Sequence, residues 1–231
     1  LNVKEVKNIL IEKPGSLYKE ELLEAQKIAI LNNKKVWIAY NRRFYSSVIE
    51  LKKLVDQEGG ITSIYFEFTE WDFEISELKK NLEIKDRWFL ANSTHVIDLA
   101  FYLIGLPREE SFCTYKNGKI NWHQSGARFC GAGISQKGII FSYHADWTSP
   151  GRWGLEINTS QSRFILKPLE KLKRIKLGNL NPEEIELENN LDITYKPGLF
   201  LQCKDFLLKK SNTLCSLDDQ VNSFKFFNRM S

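Results

Sequence analysis

The sequence lacks any cysteine pattern associated with metal binding or with a disulfide framework. Its four cysteines, Cys113, Cys130, Cys203 and Cys215, are widely spaced and form no C-x-x-C pair. This spacing favours neither a zinc site nor a disulfide scaffold, and no other metal site is predicted. We expect four reduced, buried thiols.

Long apolar segments and charge of one sign are also absent. No apolar run approaches the roughly 20 residues of a membrane span, and no N-terminal segment has the basic start and apolar middle of a signal peptide. The 33 basic and 29 acidic residues give a net charge of +4 and are spread along the chain. A nucleic-acid binder would cluster its basic residues. We therefore expect a cytoplasmic protein that contacts neither nucleic acid nor membrane.

Methionine is nearly absent, since Met230 is the only one and the chain begins with Leu1. We expect from this that a segment precedes the 231 residues. Aromatic residues are abundant by comparison, with six Trp, eight Tyr and fifteen Phe. Such residues are enriched in the cores of sheets and at surfaces that stack on sugar rings, and the core accounts for most of them.

The first sixty residues predict alternating strands and helices. Short apolar runs at 9–11 and 36–40 predict buried strands, and helical spacing predicts helices at 16–32, capped by Ser16, and at 46–58. This alternation is typical of the end of a parallel α/β sheet.

The remainder predicts a different architecture. A strand at 61–71 and a helix at 92–104 are followed by short strands joined by Gly-, Asn- and Pro-containing turns, which favour antiparallel hairpins. These strands are expected at 112–115, 128–134, 138–147, 153–159, 161–166, 173–177 and 185–187. Two helices, with Pro197 in the first turn of one and Ser216 capping the other, end the chain.

The predicted fold class is therefore α+β: a large, open, mostly antiparallel sheet with helices on one face, preceded by the last α/β units of a truncated Rossmann domain. An open sheet needs both faces covered, so we expect a homodimer or homotetramer formed through the open sheet.

Polar residues on the helix at 92–104 could carry chemistry. Asn92, His95, Asp98 and Tyr102 follow helical steps away from the apolar stripe. A histidine near a helix start is favoured in its neutral form, which suits a general base. The alternative is a surface or capping histidine.

Two strand ends carry further candidates. Lys13, in Glu12-Lys13-Pro14, follows a buried strand and could reach a cleft at the carboxyl edge of a parallel sheet, where its ammonium could bind a hydroxyl or polarise a forming carbonyl. The sequence Y-N-R-R-F at 40–44 follows the next strand and offers donors for hydroxyls or phosphates. Taken singly, each could equally be a solvated surface segment.

The order of these motifs resembles the Gfo/Idh/MocA oxidoreductases, the family of glucose-fructose oxidoreductase and inositol dehydrogenase. E-K-P at 12–14 and Y-N-R-R-F at 40–44 are followed by N-S-T-H-V-I-D-L at 92–99, W-T-S-P-G-R-W at 147–153 and K-P-G-L-F-L-Q at 196–202. The resemblance covers nearly the whole chain. It is greatest to the branch that serves bacterial surface-polysaccharide and nucleotide-sugar pathways.

The resemblance implies hydride transfer between NAD or NADP and a hydroxyl or keto group of a sugar or nucleotide sugar. Residues 1–40 would be the remnant of the dinucleotide-binding domain, and residues 41–231 the substrate-binding and oligomerisation domain. Glu12, Lys13 and Pro14 would lie at the cofactor, Lys13 would stabilise the reacting oxygen, and His95 would accept the proton. The residues expected to bind substrate are Tyr40, Asn41, Arg42, Asn92, Trp147 and Arg152.

Two departures from the family pattern affect this interpretation. Many members carry an aspartate four residues before the histidine, whereas this chain has Ala91. In addition, no G-x-G-x-x-G turn follows a strand, so we expect the 231 residues to be inactive alone. The alternative is a non-catalytic sugar-binding or oligomerisation scaffold with the same fold.

Overall fold

The computed structural model describes residues 6–208 and 212–231, so residues 1–5 of the predicted segment 1–40 lie outside the described residues. The strands are β1 (Asn8–Glu12), β2 (Lys35–Ala39), β3 (Ser63–Glu67), β4 (Cys113–Asn117), β5 (Arg128–Ile134), β6 (Ile140–Asp146), β7 (Gly154–Asn158), β8 (Ser162–Leu166), β9 (Lys173–Lys176), β10 (Glu183–Glu184) and β11 (Cys215–Ser216). The α-helices are α1 (Lys19–Leu31), α2 (Ser46–Gln57), α3 (Asp72–Glu77), α4 (Leu82–Asp86), α5 (Thr94–Ile104), α6 (Asn190–Thr194), α7 (Leu199–Leu208) and α8 (Leu217–Met230). Short 3₁₀ turns span Asn41–Phe44 and Glu109–Ser111, and a π-helix spans Phe89–Ser93.

The smaller sheet has the strand order β1-β2-β11. Strands β1 and β2 are parallel, as the alternation of strand and helix predicts, and β11 pairs antiparallel with β2. Because α8 packs on α1, the end of the chain returns to this sheet. The domain boundary at residue 40 stays a prediction.

The larger sheet has eight strands in the order β10-β9-β8-β7-β3-β6-β5-β4. Every neighbouring pair is antiparallel except β3 and β6, so the predicted α+β class is confirmed. Phe66 and Phe141 on these two strands pack against Phe101 of α5, with ring centroids 5.9 and 5.7 Å from it. The aromatic residues thus build the core between this sheet and α5.

Several element boundaries differ from the prediction. The strand expected at 61–71 ends at Glu67, and the short helices α3 and α4 and the π-helix were not expected. The last strand of the larger sheet, β10, lies at 183–184 instead of 185–187, and Pro197 precedes α7 instead of lying in its first turn. Ser16 accepts a hydrogen bond from the Tyr18 amide before α1, while the predicted cap Ser216 forms a full capping box with Asp219.

Helix α5 is buried on nearly every side, so the expected polar outer face does not exist. It packs against β3, α8 and the 3₁₀ turn at 41–44, and Asp98 forms a buried ion pair with Arg43, with 2.6 Å between Oδ1 and Nη2. The prediction of buried thiols is wrong for Cys113, Cys130 and Cys203, which are exposed. The first two lie on the outer face of the larger sheet. Within the described residues, no helix is both long and apolar enough to cross a bilayer.

Candidate active site

Lys13 is fixed at the carboxyl end of β1. Its Nζ donates to the carbonyl oxygen of Ala91, and the following residue, Pro14, accepts a hydrogen bond of 2.8 Å from Gln220 Nε2. Gly15 closes the turn at φ +84°, where its amide bonds to Glu12 O at 2.9 Å. Burial, followed by the neighbouring charge of Arg42, lowers the pKa of Lys13 to about 8. This ammonium is therefore charged at neutral pH but close to its point of deprotonation.

Arg42 projects from the 3₁₀ turn that follows β2. Its Nη1 lies 2.9 Å from Nε2 and 3.1 Å from Nδ1 of His95, and 2.7 Å from Oδ1 of Asn41. The guanidinium carbon is 5.3 Å from the ring centroid of Trp153, within cation–π range. Arg42 forms no salt bridge with any residue in 6–208 or 212–231. Its positive charge therefore stays available to a ligand.

His95 is 6% exposed and lies among polar and aromatic groups. The ring of Tyr40 meets it edge-on at 6.1 Å between centroids, and that of Trp153 lies at 5.9 Å. Burial first, and then the charges of Arg42 and Lys13, hold the pKa of His95 well below its usual range. The imidazole is therefore neutral at pH 7, as expected, although burial causes this more than the helix terminus.

Glu70 follows β3 and is only 8% exposed. Asn92 Nδ2 lies 3.1 Å from both of its carboxylate oxygens, and Ser93 Oγ donates to Oε1 at 2.9 Å. Burial raises the pKa of Glu70 to about 7, against the lowering effects of these hydrogen bonds and of the charge on Lys13. This carboxyl group can therefore gain or lose a proton near neutral pH.

The π-helix Phe89–Ser93 brings these groups together. Consecutive residues of one turn bind Lys13 through the Ala91 carbonyl and Glu70 through the side chains of Asn92 and Ser93. His95 follows in the first turn of α5. Single π-helical turns are rare and are found often at functional sites.

These elements border a cleft of about 340 Å³, within the size range of small-molecule sites. Trp71, which lines the cleft, stacks on Phe73 with 5.8 Å between centroids and an interplanar angle of 16°. Its indole nitrogen donates to Gly151 O at 2.7 Å. The cleft thus combines aromatic surface with two arginines and three carboxyl groups, those of Glu70, Glu74 and Glu170. Its lining residues include Arg42, Tyr45, Glu70, Trp71, Trp88, Asn92, Arg152 and Trp153.

The structure separates the predicted substrate-binding residues into two groups. Arg42, Asn92 and Arg152 line the cleft. Tyr40 and Trp147 are each 1% exposed and do not line it, because Tyr40 packs beneath His95 and Trp147 stacks on Trp122 in the core. Buried Asn41 also lies beneath the cleft surface, where its amide donates to Pro197 O at 2.9 Å. These three residues support the cleft instead of lining it, which corrects their expected contact with substrate.

Sequence reasoning missed Glu70, Trp71 and Trp88 as site residues, and it quoted Trp153 only as part of a motif. Glu70 and Trp71 fall within the segment expected to be strand, whose alternation gave no sign of the turn into the cleft. The T-E-W triplet at 69–71 is the only local signal, because it places an acid beside an aromatic residue at a strand end. The expected roles of Lys13 and His95 stay predictions.

The residues of the chain suit only one end of a nicotinamide dinucleotide, the nicotinamide end. Lys13 lies at the carboxyl end of a parallel strand, where dinucleotides bind in open α/β sheets, and Glu12 and Pro14 flank it. The glycine turn that would hold the pyrophosphate does not occur in the sequence. If a dinucleotide binds here, Glu12, Lys13 and Pro14 would lie at its reacting end, and the sequence offers no glycine turn of the usual kind for its phosphates.

No protein-family model and no curated protein matches the sequence. Among solved structures, UDP-N-acetylglucosamine 3-dehydrogenase GnnA from Acidithiobacillus ferrooxidans has a TM-score of 0.73 and 14% identity, over 96% of this chain and 68% of that chain. Levoglucosan dehydrogenase, in complex with NADH and L-sorbose, has a TM-score of 0.73 and 15% identity, over 97% and 70%. A super-repressor mutant of Gal80p from Saccharomyces cerevisiae has a TM-score of 0.71 and 14% identity, over 97% and 69%.

At these identities the likeness establishes the fold alone. The chain has the fold of the Gfo/Idh/MocA-type oxidoreductases, with the mixed α+β architecture of their C-terminal domain.

Proposed function

We propose that this chain is the C-terminal, substrate-binding part of an NAD(P)-dependent oxidoreductase that acts on a hydroxyl or keto group of a sugar or nucleotide sugar. Surface-polysaccharide biosynthesis is the pathway we favour. The observation that carries the proposal is that Arg42 and Glu70 line one cleft and that Lys13 and His95 lie next to Arg42, although the four residues are far apart in sequence. Buried ionisable groups with shifted pKa values are typical of catalytic sites.

The residues of the cleft suit a carbohydrate. Trp71 and Trp153 offer flat apolar surfaces for the C–H face of a sugar ring, and Asn92 and Arg152 offer hydrogen-bond donors for hydroxyl or phosphate oxygens. The names of two structural neighbours point the same way, since one is a dehydrogenase of a nucleotide sugar and the other of levoglucosan.

Lys13 is the group proposed to stabilise the reacting oxygen. Its ammonium lies at the end of β1, next to Arg42 and the Ala91 carbonyl, and can donate to an oxygen that becomes negative. A bound nicotinamide would supply the hydride acceptor or donor. The family resemblance assigns the proton to His95.

The test uses the full-length protein. When the protein is mixed with NADH, we expect the fluorescence of NADH to change because the cofactor binds. When the protein is mixed with NAD or NADP and a panel of sugars that includes UDP-N-acetylglucosamine and levoglucosan, we expect one sugar to change the NAD(P)H absorbance. Lys13→Ala should lower kcat/KM by about 10²–10³, as expected for the loss of a group that stabilises developing charge. Lys27→Ala, at an exposed position of α1, is the matched control and should leave kcat/KM unchanged. Absence of NADH binding, or full activity of Lys13→Ala, would contradict the proposal.

We also propose that the outer face of the larger sheet pairs with a second copy of the chain. Tyr115 and Ile140 are 70% and 61% exposed there, and Tyr115, Cys130 and His144 lie side by side across β4, β5 and β6. Light scattering coupled to gel filtration should show a dimer or tetramer, and Tyr115→Glu with Ile140→Glu should shift it to monomer. A wild-type monomer would overturn this proposal.

A non-catalytic scaffold is the second candidate, and Ala91 favours it, because the carboxylate expected beside the histidine is missing. The fold also occurs in Gal80p, represented by a super-repressor mutant. A protein that binds sugar without any change in NAD(P)H absorbance would favour this candidate.

A further inference from the structure

Glu70 lines the cleft, and Lys13 and His95 lie next to the lining residue Arg42. The surroundings of these three titratable groups assign them different tasks. Lys13 and Glu70 have pKa values of about 8 and about 7, whereas the pKa of His95 lies well below its usual range. A proton acceptor works best when its pKa lies near the operating pH. Pairs of groups with different environments often divide the roles of acid and base.

The surroundings of His95 disfavour a bound proton. Arg42 Nη1 is within 3.1 Å of both ring nitrogens, and Lys13 adds a second positive charge nearby. Lys196 also lowers the pKa of His95, so protonation would add a fourth positive charge to a buried site, and none of the groups that shift this pKa among the described residues is a carboxylate. His95 is therefore suited to donating or accepting hydrogen bonds in its neutral form, and poorly suited to holding the proton of a substrate.

Glu70 has the opposite surroundings. The charged groups that act on it are Lys13, at the end of β1, and Arg42, on the 3₁₀ turn, and both favour its ionised form. Its hydrogen-bond partners, Asn92 and Ser93 of the π-helix, are neutral and hold the carboxylate oxygens in place. Glu70 also lines the cleft, so an oxygen of its carboxylate can meet a ligand there.

We propose that Glu70 is the catalytic residue that takes the proton from the substrate hydroxyl, the role that the family resemblance gives to His95. The inference rests on the proposed oxidoreductase function. A carboxylate oxygen of Glu70 forms an O–H bond as the substrate O–H bond breaks, and the electron pair left on the oxygen becomes the second bond of the carbonyl. The hydride from the same carbon leaves to the oxidised nicotinamide dinucleotide named in that proposal. Lys13 stays charged and donates a hydrogen bond to the same oxygen.

The first test measures the proton affinity of Glu70 and needs neither sugar nor cofactor. The 231-residue chain is labelled with ¹³C at glutamate carboxyl carbons and titrated by NMR, together with Glu70→Gln and Glu74→Gln. Glu74 lines the same cleft at an exposed position and is the matched control. We expect one resonance to titrate near pH 7 in the wild type and in Glu74→Gln, and to be missing from Glu70→Gln. If every glutamate titrates below about pH 5, as ordinary glutamates do, the proposal is overturned.

The second test measures turnover in the full-length protein with a sugar that it oxidises. In the oxidative direction, kcat/KM should rise with pH through a limb near pH 7. Glu70→Gln should abolish this limb and lower kcat/KM by about 10²–10⁴, while His95→Asn should keep the limb. Loss of the limb in His95→Asn and its retention in Glu70→Gln would return the role to His95. If no sugar supports hydride transfer while Glu70 still titrates near pH 7, the proposed oxidoreductase function is contradicted, and the proposed proton transfer is contradicted with it. The raised pKa of the Glu70 carboxyl group would stand in that case.

Discussion

Replacing Glu70 with glutamine should remove a pH dependence from the stability of the fold. In the folded chain the pKa of Glu70 is raised from 4.5 to about 7, with burial as the largest cause. Between these two pH values the folded state holds a proton that the unfolded state has lost, so the free energy of unfolding falls as pH rises. The stabilising effect is complete below pH 4.5 and is lost as pH rises through 7.

The magnitude follows from the size of the shift. Each pH unit between the two pKa values corresponds to about 1.4 kcal/mol, so the wild-type chain should lose roughly 3 kcal/mol from this group between pH 5 and pH 8. Glutamine resembles the protonated carboxyl in size and in having one donor and one acceptor end. The variant should therefore resemble the wild type at pH 5 and be more stable by roughly 3 kcal/mol at pH 8.

The assay is urea unfolding followed by tryptophan fluorescence at several pH values between 5 and 8. Wild type, Glu70→Gln and the control Glu74→Gln are compared at constant m-value. Glu74→Gln should follow the wild-type dependence, because the glutamate that it replaces is exposed. Parallel curves for the wild type and Glu70→Gln would refute the argument, because burial would then not raise the pKa of this carboxyl group.

Two further substitutions probe the support of the cleft. Asp98→Asn removes the charged partner of buried Arg43, and we expect it to lower the free energy of unfolding by about 3–5 kcal/mol. The loss would be seen as a lower midpoint of urea unfolding. An unchanged midpoint would show that the guanidinium reaches water. Gly178→Ala, at a φ of +89° and in open space, should lower the free energy of unfolding by about 1–2 kcal/mol because of the backbone conformation alone. Gly198→Ala, at a φ of +70°, also places a Cβ against the carbonyl oxygen of Asn41, so it should destabilise the fold more than Gly178→Ala does. Equal thermal shifts for the two glycine variants would contradict the steric argument.

Local patterns predicted the fold well where the elements are long and regular. The predicted strand at 128–134 matches β5, and the predicted helix at 46–58 matches α2 to within one residue. In such elements one face is buried, so apolar residues recur in the sequence with the period of a strand or of a helix. The short helices α3 and α4 have too few turns for a pattern to repeat. The π-helix has no sequence signature of this kind, and packing against its neighbours defines it.

The candidate site was predictable only in part, for a related reason. Lys13, Arg42, Asn92 and His95 lie at strand or helix ends, where the topology of a parallel sheet brings side chains to one edge. Glu70 owes its raised pKa to burial, and the residues that hold its carboxylate, Asn92 and Ser93, are more than twenty residues away in sequence. A charged residue at the end of a strand is usually solvated, and only the contacts in three dimensions show that this one is buried.

The anchor of Lys13 is a main-chain oxygen, that of Ala91, and this has a consequence for genetic variation. Exchanging the methyl group at position 91 for another side chain leaves the acceptor in place, so Lys13 keeps its hydrogen-bond partner in such a variant. Loss of the anchor requires a change in the course of the backbone itself. In a library with all amino acids at position 91, most variants that fold should therefore keep the hydrogen bond from Lys13 Nζ to the main-chain oxygen of residue 91.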